Sequence, residues 1–151
     1  QDKRIASLLL LVLQKNLNWL ELSENQKLVK TSLIKNPKNP ILLGAVGHYH
    51  YRSGNLDLAK KNFEKAYNLD STLVPVALNL GYIYLDLKHF QKASTLFSKA
   101  LNDNANHPDM IYGKALAEKG LGNTKKANEL FKKHSKLLSK KQSAPEPLKS
   151  K

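Results

Sequence analysis

The chain of 151 residues has no cysteine, one tryptophan and only two arginines, Arg4 and Arg52, among 25 basic residues. Without thiols there can be no disulfide framework, thiolate metal site or cysteine nucleophile; the compartment stays open, because thiol-free chains suit reducing and oxidising spaces alike. At this length a core forms without such staples. The shortage of arginine matters because the net charge is +13. Nucleic-acid readers rely on arginine forks for bidentate contacts, so a surplus made of lysine disfavours nucleic acid and suits solubility or a general attraction to anionic surfaces. The surplus is uneven: residues 108–141 carry nine lysines against Asp109, Glu118 and Glu129, whereas residues 40–107 are close to neutral.

Long hydrophobic runs are also scarce. The most apolar stretch, Ile5 to Leu13, follows Lys3 and Arg4 as a secretory signal would, but Gln14, Lys15 and Asn16 come next and supply no small-residue cleavage site. Nine residues are about half of what a bilayer span needs, so a buried helix is the reading, with a targeting or membrane-contacting segment as the alternative. A cytoplasmic location is expected, with periplasmic or membrane-associated placement as the alternative. The chain starts at Gln1 without methionine, which leaves room for a removed upstream signal or anchor.

Catalytic patterns are missing too. His48 and His50 are two residues apart and diverge on a helix, and His89, His107 and His134 are scattered, so no metal-ligand spacing appears. The carboxylates read as turn residues, helix-start residues such as Asp57, or solvated partners of lysine. No paired acids, phosphate-binding glycine loop or nucleophile elbow is present, so neither an enzyme nor a cofactor is expected.

What the sequence does have is a period. In blocks of 34 residues beginning at Pro40, Val74 and Pro108, three columns hold the same residue types: Gly47, Gly81 and Ala115; Ala59, Ala93 and Ala127; Phe63, Phe97 and Phe131; a further column reads Ala66, Ala100 and His134. Small residues on both helices of an antiparallel pair would let the backbones cross closely, and the phenylalanines, one turn beyond the alanines, supply apolar mass between hairpins. Gly54-Asn55 and Gly122-Asn123 tolerate the positive φ of a tight turn, with Lys88-His89 in the same slot of the middle block. Helices are expected near 3–17, 24–36, 41–53, 56–69, 75–87, 90–103, 109–121 and 124–141.

This pattern resembles the tetratricopeptide repeat, which implies an all-α, right-handed superhelical solenoid of antiparallel helix pairs. Three regular repeats are read at 40–73, 74–107 and 108–141. Residues 1–39 read as a degenerate repeat or capping hairpin: Pro37 and Leu22 keep the register, but Leu13 stands in the glycine column and Asn25 in the alanine column. The tail 142–151, with Pro145 and Pro147 and one bulky apolar residue, reads as flexible.

In such solenoids the first helices line a concave groove. Its candidate residues are His48, Tyr51, Arg52, Leu78, Asn79, Tyr82, Leu85, Tyr112, Leu116 and Lys119, a mixture of aromatic, apolar and hydrogen-bonding groups suited to a peptide or helix of another protein. Each tyrosine has an alternative role in packing neighbouring first helices together. The resemblance raises a carboxylate clamp for chaperone tails, but its positions hold Gly44, His48, Asn79, Asp109 and Gly113, of which only Asn79 fits. One repeat earlier they hold Leu10, Gln14, Ala45, Pro75 and Asn79, so that partner is not expected.

The last helix combines a stripe of Ala127, Leu130, Phe131, His134, Leu137 and Leu138 with Lys125, Lys126, Lys132, Lys133, Lys136, Lys140 and Lys141. A polar outer face caps a terminal repeat; the alternative is peripheral attachment to an anionic membrane or an acidic partner. Residues 5–20 give a further option, homo-oligomerisation through the leucine-rich segment.

Overall fold

The computed structural model describes residues 23–142, with side chains placed for 26–140. The described chain forms α1 (Ser23–Lys35), α2 (Pro40–Arg52), α3 (Leu56–Leu69), α4 (Val74–Asp86), α5 (Phe90–Asp103), α6 (Pro108–Gly120) and α7 (Thr124–Gln142). The expected helix over 3–17, the leucine-rich segment 5–20, the Lys141 side chain and the tail from residue 143 lie outside the described residues. No described helix is long and apolar enough to cross a membrane.

Local chemistry sets the ends. Pro40 and Pro108 are the first residues of their helices, where a missing N–H costs nothing, and Pro75 is the second of its own. Each first helix therefore begins one residue earlier than the periodicity suggests. Asn39 caps α2: its Oδ1 accepts from the Ile41 and Leu42 N–H groups at 2.9 and 3.1 Å.

The three tight turns share one geometry. Gly54 and Gly122 sit at φ 77° and 81°, and Lys88 adopts the same left-handed conformation at φ 58°. The following N–H reaches back five residues in each: Asn55 to the His50 carbonyl, His89 to Tyr84 and Asn123 to Glu118, at 2.8, 2.7 and 2.9 Å. This is a Schellman end, which glycine fits without strain. Lys88 pays the left-handed cost of about 1 kcal/mol. Lys88→Gly is expected to raise stability by about 0.5–1 kcal/mol in urea denaturation; unchanged or lower stability would contradict the strain argument.

The helices stack in an all-α, right-handed superhelix with each packed on the next in sequence. In addition α2 touches α4, and α4 touches α6, so the first helices of successive pairs form a continuous inner layer. Among the described residues there is no strand.

The core explains the columns and corrects one reason for them. Phe63 and Phe97 are fully buried, as are Ala59 and Ala93. Gly47 and Gly81 do not chiefly permit helix backbones to cross: each clears space for the phenylalanine ring of its own pair. A Cβ on Gly47 would lie 2.8 Å from Phe63 Cδ2, and one on Gly81 would lie 2.6 Å from Phe97 Cε1. Gly113, on the next first helix, meets the same ring from the other side, where its Cβ would lie 2.7 Å from Phe97 Cε2. Phe97 is thus held between two hairpins, and Gly81 and Gly113 are small on its account. Phe131, in the last pair, is half-buried and meets Tyr112 edge-on at 5.6 Å.

Candidate functional site

The inner layer of α2, α4 and α6 carries every residue of the candidate groove. Arg52, Tyr112 and Lys119 are exposed, while Tyr51, Leu78, Asn79, Tyr82, Leu85 and Leu116 are half-buried. His48 differs from the expectation: at 2% exposure it is part of the interior and presents no surface to a ligand. Burial, together with the charge of Arg52, pushes its pKa below the usual imidazole value, so His48 favours the neutral form.

The tyrosines have unequal roles. Tyr51 donates its hydroxyl to Asp86 Oδ2 at 2.9 Å, linking α2 to α4. Tyr82 donates to the Asp109 carbonyl at 3.2 Å, linking α4 to α6, and packs edge-on against Phe97 at 5.8 Å between centroids. Both act as struts between successive first helices. Tyr112 is the most open of the three, 38% exposed, resting on Phe131 and, at 5.1 Å, on His134.

The rings nevertheless share one electrostatic neighbourhood. Burial pushes the Tyr82 phenol up to about 12, with Asp109, Tyr112 and Tyr51 adding to the shift. The Tyr51 phenol is raised by burial and by Asp86, against a smaller opposing effect of Arg52. Asn79 is partly engaged, its Nδ2 donating to the Pro75 carbonyl one turn back at 2.7 Å.

Glu118 departs from the expectation that each carboxylate serves a turn, a helix start or a solvated lysine. It is 1% exposed. Its Oε1 accepts from Ser94 Oγ at 2.7 Å and pairs with Lys126 Nζ at 2.7 Å, while Oε2 accepts from Asn123 Nδ2 at 2.7 Å. Burial alone would raise the carboxyl pKa, but bonds from Lys126, Ser94 and Asn123 and the Lys126 charge outweigh it and bring it down to about 2. The network ties α5, α6 and the start of α7 together. A signal existed in the register, since Glu118 stands 34 residues after Tyr84, whose hydroxyl donates to Glu64 Oε1 at 2.9 Å. One interior column thus carries a polar strut in two chemistries.

The basic residues of α7 are likewise divided. Lys126 is committed to Glu118, and Lys133 donates to the Ala105 carbonyl at 3.0 Å. Lys125, Lys132, Lys136 and Lys140 are exposed. Among the described residues no group of three histidine or acidic side chains is arranged to hold a metal.

Comparison with known proteins agrees with this geometry. Residues 50–117 match the tetratricopeptide repeat family. An uncharacterized protein of Porphyra purpurea, ycf37, is 33% identical over 79 residues, a match covering 50% of this chain and 46% of that protein. The match therefore spans less than half the length of this curated relative. Among solved structures, the crystal structure of MamA protein is similar with a TM-score of 0.71 at 16% identity, covering 99% of this chain and 81% of that one. A MamA double mutant is similar with a TM-score of 0.72 at 20% identity over 88% and 75% of the two chains. At such identities the likeness establishes the fold. The repeat is in general a non-enzymatic scaffold for protein–protein interaction, and the matches support that role for this chain.

Proposed function

Since this chain belongs to the tetratricopeptide-repeat family, we propose that it holds a peptide or a helix of a partner protein in the concave groove lined by α2, α4 and α6. The observation that carries the reading is the layer of first helices joined by Tyr51 and Tyr82, which presents Arg52, Tyr112 and Lys119 beside the half-buried Leu78, Leu85 and Leu116. A preformed rigid face with an aromatic ring and flanking charges binds at low ordering cost.

Tyr112 is the ring to alter, because Tyr82→Ala would also strip an edge contact from Phe97 and confuse binding with folding. A peptide selected from a library on the immobilised chain and measured by titration calorimetry should bind Tyr112→Ala at least about tenfold more weakly, as anchor residues of interfaces do. Affinity unchanged in both Tyr112→Ala and Arg52→Ala/Lys119→Ala would remove the groove as the binding site.

A further inference from the structure

Apart from the residues of that groove, a shallow open groove of about 310 Å³ is lined by α3, α4 and α5. Tyr67 of α3, Tyr84 of α4 and Leu96 of α5 supply its apolar surface, and Gln91, Lys92, Thr95 and Lys99 of α5 its polar edge. None of the concave-groove residues contributes. The two lysines lie over aromatic faces: Lys92 Nζ is 5.7 Å from the Tyr84 ring centroid and Lys99 Nζ 5.6 Å from that of Tyr67.

The repeat supplies an internal control. Thirty-four residues on, Lys126 and Lys133 occupy the same columns as Lys92 and Lys99. There both ammonium groups are taken up by the protein, one by the Glu118 carboxylate and the other by the Ala105 carbonyl. In the earlier pair the corresponding contacts are ring faces, and among the described residues Lys92 and Lys99 make no ion pair or hydrogen bond. Glu64, the nearby carboxylate, accepts the Tyr84 hydroxyl instead. A ring face attracts an ammonium ion but leaves its charge uncompensated and its N–H donors free for an anion.

We propose that this shallow groove binds an acidic amphipathic helix of a partner protein. The spacing specifies the helix. Lys92 and Lys99 are seven residues apart, two turns or about 10.5 Å along α5, with Thr95 and Leu96 between them. A partner helix with carboxylates at positions i and i+7 and apolar residues at i+3 and i+4 matches this pattern, because all four lie on one helical face. Its acids meet the two lysines, and its apolar pair covers Leu96, Tyr67 and Tyr84.

The test uses fluorescence anisotropy of the full chain at about 0.15 M salt, where exposed charges more than about 8 Å apart are largely screened. The probe is a labelled helical peptide with glutamates at i and i+7 and leucines at i+3 and i+4. Lys92→Glu/Lys99→Glu should weaken binding at least tenfold, and Lys125→Glu/Lys132→Glu, which removes equal charge from α7, should change it less than twofold. All four lysines are exposed, so both variants keep the fold, as helical circular dichroism should verify. Absence of binding to the unmodified chain, equal weakening in both variants, or no weakening in the first would each overturn the proposal. The concave-groove reading is tested separately through Tyr112, so either can fail alone.

Discussion

Phe97→Ala is expected to lose about 3–5 kcal/mol of stability in urea denaturation followed by helical circular dichroism, the range typical of emptying a fully buried aromatic site. The ring is fully buried and makes three contacts that no smaller side chain reproduces: Gly81 in its own pair, Gly113 in the next, and the edge of Tyr82. The same geometry makes a second, signed prediction. Gly81→Ala adds a methyl that collides with the Phe97 ring, an overpacking cost of about 1–3 kcal/mol. Helix propensity offsets about 1 kcal/mol of that. In the Phe97→Ala background the collision is gone, so Gly81→Ala should become neutral or stabilising. Additive effects in this double-mutant cycle would mean that the glycine column does not exist for the ring.

Glu118 should make the stability of the fold sensitive to acid. Its folded carboxyl is held at about 2 against an ordinary value of 4.5, so the ionised form is favoured by folding. The stabilisation is complete above the ordinary value and is lost as pH falls from about 4.5 through about 2. At 1.36 kcal/mol per pH unit the shift corresponds to about 3 kcal/mol, reduced to about 2 kcal/mol because Lys126 is 55% exposed and its charge is screened. Glu118→Gln should therefore cost about 2 kcal/mol at pH 7 and flatten the acid limb of the stability profile. Glu118→Ala should cost more, since Ser94 and Asn123 lose their acceptor. A profile between pH 5 and 2 identical to that of the unmodified chain would show that the carboxylate network contributes nothing.

The fold is largely legible in the sequence because its information is local and repeated. Glycine or a residue forced into its conformation marks each tight turn, and the small, alanine and phenylalanine columns fix the register, so helix ends fall within one or two residues of their expected places. The one-residue shift of α2 and α6 comes from prolines that begin a helix rather than precede it. The physical reason for the glycine column was less legible: nothing in the spacing says whether Gly81 faces a backbone or a ring, and Gly113 joins Phe97 only once the next hairpin is in place. Site residues were harder for the same reason. His48 and Tyr82 occupy one column, yet His48 is interior and Tyr82 half-buried, because accessibility depends on the bulk of neighbours rather than on periodicity. The partnering of Glu118 depends on Ser94, a residue of the preceding pair that no helical periodicity singles out.

The inner layer of first helices is the proposed binding face, and its occupancy by a partner is the central functional claim. Hydrogen–deuterium exchange of the full chain, alone and with a saturating selected partner peptide, tests it most directly. Slower exchange is predicted in α2, α4 and α6, strongest around Tyr112 and Lys119, with α3 and α7 unchanged. Protection confined to α3, α5 or α7, with the first helices unaffected, would contradict it.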